Sequence, residues 1–79
     1  MKLIVLPQAK IDGEDCPKVT KMQKVAINVE EILAVYVISN KFDHPIKGVS
    51  ALIAKPDNRY LIAMDFDDLM EVINQSTYP

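Results

Sequence analysis

The chain has 79 residues, 49% of them hydrophobic and 25% charged, with a formal net charge of −2. That balance describes one globular domain, residues 1–79, with a small core, because a chain of this size hides only about 60–65% of the surface its unfolded form exposes. It disfavours a dedicated nucleic-acid binder, whose field is usually basic, and the lone Cys16 excludes an internal disulfide framework.

No apolar run reaches the length of a membrane span, and the opening MKLIVLPQAK is too poor in consecutive apolar residues for a secretory signal. With no paired cysteines, the expected setting is reducing and cytoplasmic, away from any membrane.

The run KLIVL at 2–6 reads as a first strand, stopped by Pro7 at or near a sheet edge. The stretch PQAKIDGEDCPK that follows mixes Pro, Gly and charge and reads as a loop. From Val25, apolar residues return in VAINVEEILAVYVIS, where Val25, Ile27 and Val29 alternate with Ala26 and Asn28. Glu30 and Glu31 break the pattern and predict a tight bend before a second strand over 32–38.

NKFDHPIKG at 40–48 reads as a polar exposed loop, and VSALIAKPDNRYLIAM as a hairpin turning at Pro56 and Asp57. The chain closes on MDFDDLMEVINQ, where Phe66, Leu69, Met70 and Ile73 form one apolar stripe of a helix. Asp65 stands at its N-cap and Asp68 three residues on, as in a capping box, while Asp67 and Asp68 favour the positive end of the helix dipole. The expected fold class is α+β: a small, mainly antiparallel sheet or half-barrel of about five strands with one C-terminal helix.

These aspartates could instead ligate a metal, since Asp65 and Asp67 match the first two positions of a calcium loop. The next required positions hold Leu69, Met70 and Ser76, so the match fails, and no metal or cofactor is expected. Cys16 and His44 lie far apart with no further Cys or His to complete a zinc site, and no nucleophile elbow or phosphate loop occurs. The chain is expected not to be an enzyme.

Cations recur as Lys18, Lys21 and Lys24, then Lys41, His44 and Lys47, then Lys55 and Arg59, all in segments read as connections. Lys41, His44, Lys47 and Arg59 are the candidates for holding an anionic small ligand such as a nucleotide, against the plainer reading of a solvated rim. Nucleic-acid binding ranks below that, because Phe42 is the one aromatic in a basic loop.

The strands carry a further signal. ILAVYVI at 32–38, ALIA at 51–54 and YLIAM at 60–64 lack polar alternates, so both faces of each want cover, and one short helix covers one face. The remaining apolar surface is expected to meet an identical subunit, with Ile32, Val35, Val37, Leu52 and Leu61 as candidate interface residues. A curled sheet that hides both apolar sets within one chain is the competing arrangement.

The segment from Val25, with Asn28, Ile32 and Val35 in its opening and Asp67, Leu69, Val72 and Ile73 in its helix, resembles the small flagellar-operon accessory proteins of the FlbD type. The likeness spans roughly the C-terminal two thirds and departs from that family in the N-terminal extension and the longer loop at 40–48. It implies a noncatalytic accessory protein, of a bacterial or phage kind, acting by binding a protein partner.

Overall fold

The computed structural model describes residues 2–13 and 17–77. Strand β1 (Leu3–Asp12) begins by alternating, with Ile4 and Leu6 buried and Leu3 and Val5 exposed. Pro7 does not end it. A proline has no N–H for the ladder, and the strand accommodates this with a register shift between Pro7 and Ala9, after which pairing resumes as far as Asp12. The Pro7 carbonyl accepts the Ala63 N–H at 2.8 Å.

Strand β2 (Lys18–Asn28) pairs antiparallel along the whole of β1, from Asp12 opposite Lys18 to Leu3 opposite Asn28. The segment expected to be a loop is therefore mostly ribbon, and Lys18, Lys21 and Lys24 lie in a strand rather than in a connection. Cross-strand pairing overrode weak local propensity there. Residues 14–16 between the two strands, Cys16 among them, fall outside the described residues.

The bend expected at Glu30 and Glu31 is a 3-10 turn, Val29–Glu31, capped by Asn28. The Asn28 side chain accepts from the Glu30 N–H at 3.1 Å and donates to a Glu31 carboxylate oxygen at 3.0 Å. Strand β3 (Ile32–Ser39) follows as expected. The next loop is shorter than the sequence suggests: Asn40 closes it by accepting from the N–H groups of Phe42 and His44, and β4 (Pro45–Ala54) has already begun by Pro45. A turn with a cis Lys55–Pro56 bond leads to β5 (Asn58–Ile62), and helix α1 (Phe66–Thr77) ends the described chain.

The five strands form one open antiparallel sheet in the order β2-β1-β5-β4-β3. It is pinched at one seam, for β1 and β5 pair only at Gln8 and Ile62. Either side of that seam the sheet must curl, because Ile4, Leu6 and Ile27 from the β1–β2 ribbon, with Val29 of the 3-10 turn, share one core with Leu52, Ala54 and Ile62 from β4 and β5. Leu69 and Ile73 of α1 plug the remaining opening, with Met70 and Val72 at its margin. This is the half-barrel form of the expected α+β fold.

Of the three fully apolar runs, the curl absorbs two. Ala51, Leu52 and Ala54 are buried and Ile53 is half-buried; across the next strand Ile62 is buried with Tyr60, Leu61, Ala63 and Met64 partly so. The third run, on β3, is not absorbed.

Candidate functional site

Strand β3 lies at the end of the strand order, and its pairing with β4 carries two irregularities. Ile32 faces Ala54 but Ala34 faces Ile53, so Leu33 is the extra residue of a bulge and turns outward. Beyond it the pairing runs regularly from Ala34 opposite Ile53 to Val37 opposite Ser50. Val35 and Ile32 pack against the core, while Leu33, Tyr36 and Val37 are 56%, 51% and 50% exposed. Among the described residues no further strand lies beyond β3.

The second irregularity shapes a cleft. Between the pairs Val37–Ser50 and Ser39–Pro45, two steps along β3 are matched by five along β4, so β4 bows out over Ile46–Val49. Gly48 takes φ +82 in this bow, a left-handed conformation that suits glycine, and its N–H donates to the Asp65 carboxylate. Asp65 thus directly precedes α1, and its own carbonyl accepts the first helical bond, from Leu69 at 2.9 Å, but its carboxylate ties the helix start to the bow instead of to the first-turn N–H groups. Asp67 and Asp68 stand in the first turn as expected. The buried hydroxyl of Ser50 secures the same corner by donating to the Met64 carbonyl at 2.8 Å.

An open cleft of about 240 Å³ lies between bow and helix, with Val37, Ile46, Val49 and Phe66 as its apolar lining and Lys47, Asp65 and Asp67 as its charges. It can receive an apolar side chain. It is poorly suited to a free anion, since two carboxylates oppose its one ammonium. Phe42, at the tip of the β3–β4 turn, is also exposed, and the Lys41 ammonium sits 5.2 Å from its ring centroid.

The four residues considered for anion capture do not form one constellation. Lys41 and His44 are in the turn after β3 and Lys47 is on the bow, all at one end of β4; Arg59 pairs with Ile53 at the other end. Among the five candidate interface residues, Leu52 is wholly buried in the core and cannot serve; Ile32, Val35 and Leu61 are half-buried and Val37 is exposed. Sequence reasoning missed Gly48, Asp65 and Phe66 as the frame of a cleft. A lone glycine inside an apolar strand was the available signal, since it commonly marks a bulge. Among the described residues no group of three or more His, Cys, Asp or Glu side chains could hold a metal ion, and no helix is long and apolar enough to cross a membrane.

No family model, curated protein or solved structure matches the chain.

Proposed function

We propose that this is a noncatalytic accessory protein, of the kind bacteria and phages encode, that self-associates and binds a protein partner. The observation that carries this reading is the apolar surface left over once the core is complete: Leu33, Tyr36 and Val37 on an open strand, with Phe42 at its end. An open apolar strand exposes unpaired N–H and C=O groups together with side chains that water does not favour, which is the surface another polypeptide satisfies best. The neighbouring cleft adds a place for an apolar side chain of a protein partner. The pattern likeness to flagellar-operon accessory proteins points to the same class of role.

Sedimentation equilibrium over a concentration series tests self-association: the weight-average mass should climb above the 8.9 kDa of one chain. A mass that stays there at every concentration refutes that half of the reading. For the partner, a protein captured from the native cell by the wild-type chain should be lost with Phe66→Ser, which removes one wall of the cleft. Capture that is indifferent to this change would place the partner elsewhere.

A further inference from the structure

We infer that the second copy docks on β3 itself, edge to edge and antiparallel, with Tyr36 of one chain facing Tyr36 of the other across a twofold axis, so that two sheets become one. This deepens the proposal of self-association and rests on it.

Three observations select this occupant. First, the sheet has two edges, and they differ. β2 carries Lys18, Lys21 and Lys24 along its length, all exposed, and lysines on an edge oppose pairing with another strand. β3, ILAVYVIS, has no charged residue and no proline. An identical strand can therefore lie against it without setting like charges opposite one another.

Second, the charges that flank β3 differ in sign at its two ends. Glu30 and Glu31 precede it and Lys41 follows it, all exposed. In a parallel pair acid would meet acid. In an antiparallel pair centred on Tyr36, Val37 comes opposite Val35, and the Lys41 end of each copy lies toward the Glu30–Glu31 end of the other. Asp43 and His44 lie beyond this register, past the paired residues. A twofold axis normal to the sheet requires each residue and its counterpart to share a face, and centring on one residue satisfies that.

Third, the regular part of β3 is the part this pairing uses. The Leu33 bulge would interrupt a longer ladder, but Ala34–Val37, the stretch that pairs regularly with β4, lies inside the register, and Tyr36 projects on the face opposite Val35 and Leu52, clear of the core. The dimer would gain a cross-strand tyrosine pair and cover Val37, while Leu33 and Phe42 would lie along the seam. A contact of this extent belongs to the weak end of specific interfaces, so the dimer forms with rising concentration.

The test is sedimentation of wild type, Tyr36→Lys, Glu31→Lys, Lys41→Glu and the double charge swap, from about 10 to 300 µM, the range suited to a weak interface. Wild type should approach twice the monomer mass. Tyr36→Lys should raise the dimer Kd about tenfold or more by placing a lysine on the open edge. Each single charge change should raise it roughly threefold, the scale of an exposed ion pair, and the double swap should restore it. Should Tyr36→Lys fold poorly, the loop substitution Lys41→Glu and the concentration-dependent protection of alternate amides in 34–38 carry the test.

A wild-type dimer unmoved by Tyr36→Lys overturns the β3 interface while leaving self-association intact. A double swap no tighter than the single changes overturns the antiparallel register. A wild-type chain that is monomeric throughout overturns both this inference and the self-association beneath it.

Discussion

The two edges of this sheet are built from similar lengths of chain and have opposite surfaces. β2 is an eleven-residue strand whose exposed positions are lysine, threonine, glutamine, Met22 and Ala26; β3 is an eight-residue strand whose exposed positions include leucine, tyrosine and valine. Both strands present an unpaired row of backbone groups. Where a protein must remain alone, charge on the edge is the usual guard, and here the guard stands on one side only. The contrast separates an edge guarded by charge from an apolar one, and the proposed dimer uses the second.

Removing what both edges share should produce the largest effect. Leu52→Ala takes a wholly buried side chain from the core that joins the β1–β2 ribbon to the other three strands, and should cost about 2–5 kcal/mol. Urea denaturation should show one transition moved to lower denaturant. Two separate transitions would mean that ribbon and ladder fold independently across the single Gln8–Ile62 pairing.

Next come the supports of the β3 side alone. Gly48→Ala keeps φ +82 only against the left-handed penalty, about 1–2 kcal/mol, and nothing lies within 4 Å of the added methyl, so the cost is backbone strain rather than a clash. Asp65→Ala deprives the Gly48 N–H of its acceptor and should cost about 1 kcal/mol. Thermal melts of both variants should fall while the β1–β2 pairing, followed by amide exchange, persists in the native state. Equal loss of protection on both edges would deny the bow a local role.

The smallest change in stability should accompany exchange of the guards themselves. Lys21→Val with Lys24→Val should alter folding stability by less than about 0.5 kcal/mol, since both side chains are exposed, yet it should make a second edge prone to association. Larger assemblies on sedimentation would sharpen the contrast between the edges; unchanged behaviour would show that the lysines of β2 are not what keeps it unpaired.

Much of this architecture was legible in residue order. The 3-10 turn was announced by Glu30 and Glu31 interrupting an alternating pattern, the hairpin by Lys55–Asn58 between two apolar runs, and the helix by the stripe Phe66, Leu69, Met70, Ile73. The ribbon was misread because Pro7, Gly13 and scattered charge resemble a loop locally. What makes 7–12 and 18–24 strands is their pairing with each other, and a bulge after Pro7 that no local pattern displays. The cleft escaped notice for a related reason: it joins Gly48 to Asp65 across seventeen positions of chain.

The sequence by itself determined the class of fold, the place of the helix and the surplus of apolar strand, because periodicity, turn chemistry and composition act between near neighbours. Only the tertiary structure decided which apolar run stays uncovered. The curl that brings β1 and β2 over β4 and β5 depends on contacts between distant segments, and it leaves β3 at the end of the strand order.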